Sequence, residues 1–312
     1  LYASGSWLPL ALPNPSTAPS VALSGIVDED LAEDVLYAYT FVTSLGEESG
    51  PSPLSATFKF SSGVTLILSD LPAASSVSGR PIAKKRIYRS QTSATGVTDL
   101  YFIAEIGAFT DSFDDVYGEN PIAEAITTKN FDPPPATMKG LTALGGGMMA
   151  AFDGKELLIS EPYQPHAWPG KYALTSAVPI VGLCAIGTSV AVMTAGMPYI
   201  VQGISPDAMT MTKVETPYPC VAKRSIVDMG YAAIYASPVG LVSLTETGAS
   251  VVTTAIWSTT DWKSMNPASI DAGRFGEAYL FSYLPEGATD RRIAILNLNG
   301  DTPTLVHVDL PA

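Results

Sequence analysis

The alternation of apolar and polar positions predicts short β-strands in the first part of the chain. Between residues 35 and 42 the side chains alternate, so that Val35, Tyr37, Tyr39 and Phe41 would share one face of a strand. Further strand-like runs follow at 57–60, 64–68, 86–89 and 100–106. Strands at this spacing, separated by turn-forming residues and without helical periodicity, predict a small antiparallel sandwich over residues 31–118.

The second half of the chain repeats itself. Residues 140–145 (GLTALG) recur 42 positions later at 182–187 (GLCAIG), and further copies begin at Ser225 and Ser269, with offsets of 43 and 44. Each copy holds three or four short strands, which is the size of a propeller blade whose faces are buried against its neighbours. We therefore predict an all-β protein in which β-propeller-like repeats accompany the sandwich, the sandwich being inserted or appended.

A run of three prolines separates the two predicted parts. Pro133, Pro134 and Pro135 are stiff and cannot donate to a sheet interior, so residues 119–138 are expected to form a linker. Blades are expected over 139–312, and N-terminal strands within 1–30 are expected to form part of a further blade. The chain begins with Leu1 and has no basic leader, so we expect a processed chain or a piece of a longer one.

Charge limits the classes of partner. The chain has 17 Lys and Arg against 30 Asp and Glu, a net charge of −13, of which residues 1–135 carry −9. An acidic chain is a poor candidate for wrapping nucleic acid, because phosphate binding needs Lys and Arg.

Residues 172–206 hold no charge and are long enough to cross a bilayer, but prolines and glycines interrupt them. Successive buried strands, with no membrane span, are the favoured interpretation.

Cysteine and histidine are too few for the common metal sites. Cys184 and Cys220 cannot form a disulfide framework, and His166 and His307 lie far apart in the chain. A small buried apolar role is expected for Cys184. Neither a metal nor a cofactor is expected.

Catalytic motifs are absent from the sequence. It contains no Gly-x-Ser-x-Gly, His-Glu-x-x-His or phosphate loop. Asp228 and Asp271 fall one position apart in the aligned repeats, and paired carboxylates can perform acid–base work. No partner residues accompany them, so capped or solvated carboxylates are favoured and no enzyme activity is expected.

The basic residues Lys84, Lys85, Arg86 and Arg89 form the only basic cluster read from the sequence. They are candidates for contact with an acidic partner or nucleic acid. A solvated strand edge is the favoured alternative, because edge lysines discourage pairing between sheets.

A second candidate interface is a proline-rich loop at residues 161–169. It presents Tyr163, His166 and Trp168, and aromatic side chains are enriched at protein interfaces. A loop that packs over its own blade is an equally good interpretation. Catalysis by the lone His166 is not favoured.

The first part of the chain resembles a fibronectin type III-like domain. Residues 37–42 (YAYTFV), with the turn at 46–53, are similar to its second-strand region, and 66–72 (LILSDLP) to the strand and corner that follow. Residues 86–90 (RIYRS) are similar to the central strand. The usual core tryptophan is missing, and Tyr37 or Tyr39 is expected to replace it.

An ordered series of segments extends the resemblance over about residues 31–270. It comprises 160–169 (SEPYQPHAWP), 196–201 (GMPYIV), 223–228 (KRSIVD) and 234–241 (IYASPVGL). Together with the fibronectin-like part, these resemble virion structural proteins of tailed bacteriophages, especially propeller-containing tail hub, nozzle or stabilisation proteins.

The phage resemblance implies a non-enzymatic part of the virion tail. Such a protein is expected to form a homo-oligomeric ring, a hexamer, around the DNA channel. Portal or adaptor proteins and other tail proteins are its implied neighbours, and double-stranded DNA would pass during ejection without tight binding. An acidic lumen would help, because it repels phosphate.

Two other functions remain open on the sequence. One is an extracellular propeller and fibronectin-like module for binding or adhesion to glycans or proteins. The other, less favoured, is a propeller hydrolase or lyase that uses Asp228 or Asp271.

Overall fold

The computed structural model describes residues 2–3, 5–73, 75–92, 98–298 and 303–308. The chain divides into two compact units. The first unit comprises Leu1–Pro135 and Gln164–Gly170, and the second comprises Ala136–Tyr163 and Lys171–Ala312. Both are built from antiparallel strands, so the predicted all-β class is confirmed.

The described part of the first unit holds eleven strands. They are β1 (Tyr2–Ala3), β2 (Ser6–Trp7), β3 (Ser20–Gly25), β4 (Glu33–Val35), β5 (Tyr37–Thr43), β6 (Phe58–Phe60), β7 (Val64–Ser69), β8 (Ser76–Val77), β9 (Arg80–Thr92), β10 (Thr98–Gly107) and β11 (Phe113–Val116).

Two main sheets supply the core of the first unit. One has the order β10–β9–β5, with β8 also paired to β9, and the other has the order β11–β7–β3; β1–β2 and β4–β6 are separate short pairs. Burial alternates along β7, because successive side chains of a strand point to opposite faces. Leu66 and Leu68 of β7 thereby join Tyr37 and Tyr39 of β5 in one apolar cluster.

The N-terminal strand β3 belongs to the first unit. Strand β3 pairs along its length with β7, with Leu23 opposite Leu66, inside the first unit. The expected contribution of residues 1–30 to a further blade is therefore wrong for β3, because its hydrogen-bonding edge is used by the first unit.

Part of the predicted linker also belongs to the first unit. The backbone N–H of Ile126 donates to the carbonyl of Leu100 on β10, and that of Ala123 donates to Phe102. Ile126 is buried with Tyr88 and Leu100, so apolar burial fixes this segment beside β10 instead of leaving it as a free connection.

The described part of the second unit holds sixteen strands. They are β12 (Lys139–Ala143), β13 (Met149–Asp153), β14 (Glu156–Ile159), β15 (Leu174–Thr175), β16 (Ile180–Ile186), β17 (Ser189–Thr194), β18 (Tyr199–Gln202), β19 (Thr210–Lys213), β20 (Val227–Asp228), β21 (Ala233–Ser237), β22 (Gly240–Thr245), β23 (Gly248–Val251), β24 (Asp271–Phe275), β25 (Ala278–Tyr283), β26 (Arg292–Asn297) and β27 (Thr304–Val308).

These strands form four antiparallel sheets of four strands each, always in chain order. The sheets begin at β12, β16, β20 and β24, so each predicted repeat corresponds to one sheet. One apolar cluster is shared by the first and second sheets, another by the second and third, and a third by the third and fourth. The first strands of successive sheets also contact one another.

Helices contribute little to the described residues. One α-helix, α1 (Thr259–Ser264), begins after a capping box of Ser258 and Asp261. Short 3-10 turns lie at Gly145–Gly147, Gly170–Tyr172, Pro206–Ala208, Lys223–Ser225 and Pro267–Ser269. Among the residues described, none forms a helix long and apolar enough to cross a membrane.

Candidate functional site

The basic residues predicted on β9 differ in burial, and Lys85 is the one that is fully enclosed by the first unit. Strand β9 lies between β10 and β5, so the expectation of a solvated strand edge is wrong. The Lys85 side chain is fully buried, and its Nζ donates to the carbonyls of Pro72 (2.7 Å) and Thr110 (2.6 Å). Burial lowers the pKa of Lys85, although the charge of Asp111 opposes the shift.

The neighbouring cations are paired with carboxylates. Arg86 Nη1 lies 2.7 Å from Glu48 Oε2, and Arg89 Nη1 lies 2.6 Å from Asp115 Oδ2. Lys84 also has a carboxylate partner, but its side chain is 54% exposed. The four residues are therefore internal pairing groups, and only Lys84 presents most of its charged side chain to solvent.

The predicted loop interface separates into buried and exposed residues. Tyr163 is 78% exposed, whereas His166 and Trp168 are 2% and 4% exposed. The indole Nε1 of Trp168 donates to the Pro165 carbonyl at 2.9 Å. Burial removes His166 and Trp168 from the set of exposed interface candidates and leaves Tyr163.

His166 lies in a polar cluster inside the first unit. Its Nε2 is 2.9 Å from the Glu48 carbonyl, so the neutral ring carries its proton there, and Nδ1 is 3.7 Å from Glu47 Oε1. Arg80 is fully buried and ion-paired with Glu47. Burial lowers the pKa of His166, and the Arg80 charge lowers it further. Sequence reasoning assigned Glu47 and Glu48 only to a turn, because their partners lie elsewhere in the chain.

The two candidate carboxylates of the repeats do not share a partner. Asp228 Oδ1 accepts a hydrogen bond from the Gly230 backbone N–H at 2.6 Å, and Asp271 Oδ2 lies 2.6 Å from Arg224 Nη1. Each therefore has a local structural contact of its own.

The two cysteines are free and buried. Burial raises the pKa of both Cys184 and Cys220 to about 12, so both stay as thiols near neutral pH. They join the apolar cluster between the second and third sheets, which agrees with the small buried role expected for Cys184.

The structure instead brings basic residues together in the second unit. Lys223, Arg224 and Arg291 line a cavity of about 260 Å³ together with Asp271. Three cations and one carboxylate give this lining a positive balance in a chain whose net charge is −13. The expectation that β9 carries the only basic cluster is therefore wrong. The dipeptide Lys223-Arg224 was visible in the sequence, but its approach to Arg291 depends on the packing of two sheets.

Two equivalent serines hold the turns that frame this basic cavity. Ser225 Oγ donates to the Ala222 carbonyl at 2.7 Å and accepts from a backbone N–H of β21 at 2.8 Å. Ser269 Oγ likewise donates to the Asn266 carbonyl at 2.7 Å and accepts from the Leu284 N–H at 2.9 Å. Arg291 Nη2 donates to the Ser269 carbonyl at 2.7 Å. Lys223 and Arg224 thus stand on one hydrogen-bonded turn, and Arg291 donates to the other.

An apolar cavity adjoins the basic one and shares Ala268 with it. Its volume is about 440 Å³, and its walls include Val221, Pro238 and Pro267. We call the two together the paired cavity. Concave apolar surface beside a few charged groups is the usual composition of a binding site. The paired cavity fits an apolar side chain flanked by anionic groups.

The first unit contains a separate cleft of about 350 Å³. Phe60 and Tyr117 lie in its wall with their rings in edge contact at 5.1 Å. Glu33, Arg89 and Gln91 provide polar groups around the rings.

Comparison with protein-family models and curated protein sequences gives no match from which a function can be transferred. No protein-family model matches the chain, and no curated protein sequence matches it. Within the described residues, no group of three or more His, Cys, Asp or Glu side chains is placed to hold a metal ion. The paired cavity and the sheet architecture therefore carry the functional argument.

Proposed function

We propose that this chain is a non-enzymatic structural component of a tailed-bacteriophage virion. It assembles through subunit contacts into a ring, as a tail hub or nozzle, around the DNA channel. The observation that carries the proposal is the second unit, in which four consecutive sheets pack at the repeat seen in the sequence. In this proposal the sheets are propeller blades and the first unit is a fibronectin type III-like sandwich.

The use of the ionisable groups supports a structural role. Lys85, Arg86, Arg89 and His166 all bind backbone carbonyls or carboxylates of their own unit. Groups satisfied in this way stabilise a fold and are poorly placed to act on a substrate. Rigid β units that offer a few surface cavities suit a protein that works by association.

The charge supports passage of DNA without tight binding. Residues 1–135 carry a net charge of −9, and acidic surface repels phosphate. If this surface lines the channel, it lowers the affinity for DNA and lets the duplex slide.

Particle size tests the proposal directly. Purified chain should form a uniform ring-shaped oligomer, measured by light scattering after size exclusion and by negative-stain electron microscopy. Mass spectrometry of purified virions from the source phage should detect the chain. A chain that stays monomeric at all accessible concentrations and is absent from virions contradicts the proposal.

A second candidate function is a binding or adhesion module, which the cleft of the first unit favours. Aromatic rings beside carboxylate and amide groups suit a polyhydroxylated ligand such as a glycan, because sugars offer both apolar faces and hydroxyl groups. Binding to a glycan array that is lost in Tyr117→Ala, with Phe109→Ala as an exposed aromatic control, would favour this function over ring assembly.

A further inference from the structure

An acidic turn in the first unit exposes an apolar side chain. Leu31 is 73% exposed and lies among the exposed acidic residues Asp28, Glu29, Asp30 and Glu33. At this exposure Leu31 buries little of its side chain in its own unit. We call residues 28–33 the acidic turn.

The acidic turn has a fixed backbone. The Asp28 N–H donates to Oγ of the fully buried Ser61 at 2.9 Å. The Leu31 N–H donates back to the Asp28 carbonyl at 3.2 Å, which closes the turn. A rigid turn loses little conformational freedom when it binds, so Leu31 is presented in a form ready for docking.

The paired cavity of the second unit has the complementary chemistry. Its apolar part is walled by Val221, Pro238 and Pro267, with Lys263 and Glu286 also in the lining, and its basic part carries Lys223 and Arg224. The Arg224 side chain is 79% exposed and bonds Asp271 through one nitrogen, which leaves other N–H donors for an incoming carboxylate.

We infer that the acidic turn of one copy docks into the paired cavity of a second copy. Leu31 enters the apolar part, and the carboxylates of Glu29 and Asp30 face Lys223 and Arg224. This inference rests on the proposed function, because it names the surfaces through which the subunits associate.

Such a contact joins two different surfaces and is therefore head-to-tail. Each copy keeps a free turn on its first unit or a free cavity on its second unit after it binds a neighbour, so association continues until a ring closes. One leucine and two carboxylates bury less than the roughly 1,200 Å² that stable interfaces bury. A single contact is therefore weak, and ring closure stabilises the assembly.

Two variants remove one surface each. The turn variant carries Glu29→Lys, Asp30→Lys and Leu31→Ala, and the cavity variant carries Lys223→Glu and Arg224→Glu. All five positions are exposed, so the fold should be retained, as checked by circular dichroism and thermal unfolding. Each variant alone should associate at least 10-fold more weakly than the wild type in sedimentation velocity.

Mixing the two variants provides the decisive measurement. An equimolar mixture offers the intact turn of the cavity variant to the intact cavity of the turn variant, so dimers should form at concentrations at which neither variant associates alone. Growth beyond the dimer should be weak, because the remaining pair of surfaces has exchanged charges but lacks Leu31. A chain with Glu29→Lys, Asp30→Lys, Lys223→Glu and Arg224→Glu, in which Leu31 is kept, should regain self-association because both charges are exchanged. Association of the wild type should weaken at least 10-fold between 50 and 500 mM salt, since exposed charge pairs are screened.

A control variant tests an equivalent surface elsewhere in the first unit. Phe109 is 72% exposed near the exposed Asp114, so Phe109→Ala with Asp114→Lys removes a similar side chain and charge. This control should associate like the wild type. If the control loses as much self-association as the turn variant, the loss is a general effect of charge and the inference is overturned.

Failure of the inference and of the proposed function are distinguishable. If the wild type assembles and the turn and cavity variants assemble equally well, the inference is overturned and the proposed function stands. If the wild type itself is monomeric at all accessible concentrations, the inference falls, and if it is also absent from virions, the proposed function falls with it.

Discussion

At the scale of single residues, charged side chains inside the first unit stabilise its backbone. Lys85 is the clearest case, since its ammonium group binds carbonyls from the segments that follow β7 and precede β11. Arg80 and His166 similarly bind backbone carbonyls, at Pro9 and Glu48. Burying such groups is favourable only while their hydrogen bonds are made, because an unpaired buried polar group costs free energy.

Substitution of Lys85 should therefore destabilise the first unit strongly. Lys85→Met keeps the apolar length but removes the donor to the carbonyls of Leu71, Pro72 and Thr110, so the free energy of unfolding should fall by about 3 kcal/mol. Urea unfolding measures the loss. Lys84→Met is the matched control, and it should cost less than about 1 kcal/mol because that ammonium group is exposed. Equal costs at the two positions would show that the carbonyl contacts contribute nothing.

Acidification should destabilise the first unit through His166. Its folded pKa lies below the usual value because of burial, so the unfolded chain binds the proton more readily. Stability is then complete above the unfolded pKa of about 6.5 and is lost as the pH falls below it. One such group changes the free energy of unfolding by at most about 1.4 kcal/mol per pH unit.

Urea unfolding between pH 7.5 and 5.5 checks the role of His166. The slope should become smaller in His166→Gln. The only other histidine, His307, is exposed, so His307→Gln should leave the slope unchanged. A slope that persists in His166→Gln would assign the pH dependence to other groups.

At the scale of elements, a repeated turn begins the third and fourth sheets. Ser225 and Ser269 occupy equivalent positions of the repeat, and each hydroxyl donates to the carbonyl three residues earlier. The Ser225 hydroxyl also accepts from a backbone N–H of β21, and the Ser269 hydroxyl accepts from the backbone N–H of Leu284, which follows β25. Ser225 also uses its own carbonyl to accept from the Tyr279 hydroxyl at 2.7 Å. The serine therefore sets where β20 and β24 begin.

Loss of these hydroxyls should destabilise the second unit unequally. Ser225 is fully buried and Ser269 is only half-buried, so water can replace the lost contacts at Ser269 more easily. We expect Ser225→Ala to cost about 2 kcal/mol and Ser269→Ala about 1 kcal/mol. Chemical denaturation followed by tryptophan fluorescence measures both. Thr254→Ala removes an exposed hydroxyl and should be nearly neutral; a larger cost for Ser269→Ala than for Ser225→Ala would contradict the role of burial.

At the scale of the whole molecule, the order of the chain does not match the division into units. Segment Gln164–Gly170 lies between β14 and β15 in sequence, yet it packs with the first unit. Within that unit, the backbone N–H of Trp168 donates to the Asp132 carbonyl at 2.7 Å. The ring of His166 lies in edge contact with that of Phe131, with 5.9 Å between the ring centres. Completion of the first unit therefore needs residues that are synthesised after the second unit has begun.

A substitution in the second half of the chain should consequently destabilise the first unit. Trp168→Ala removes a nearly buried indole, and its cost is expected to be about 3 kcal/mol. Hydrogen exchange should rise in the first unit and stay unchanged in β16–β18. Tyr163→Ala, five residues earlier and exposed, should cost less than about 1 kcal/mol. Faster exchange confined to the second unit would contradict the assignment of this segment.

The sequence by itself determined the β class of the chain and the period of its repeat. Alternation placed β5 and β7, and the recurrence of GLTALG as GLCAIG predicted successive sheets of three or four strands, of which the structure has four in each. These features are visible in sequence because side chains of a strand alternate between faces, and because a repeated sheet must bury the same positions each time.

Only the tertiary structure decided what the polar residues do. The pairing of β3 with β7, the burial of Lys85, His166 and Trp168, and the approach of Arg291 to Arg224 all join residues distant in sequence. The residues next to a strand edge or a cation in sequence do not identify its partner, since hydrogen bonds and ion pairs form between whichever surfaces the core brings together. Apolar periodicity therefore specifies the elements, and the packing of the cores specifies where the charges and the cavities lie.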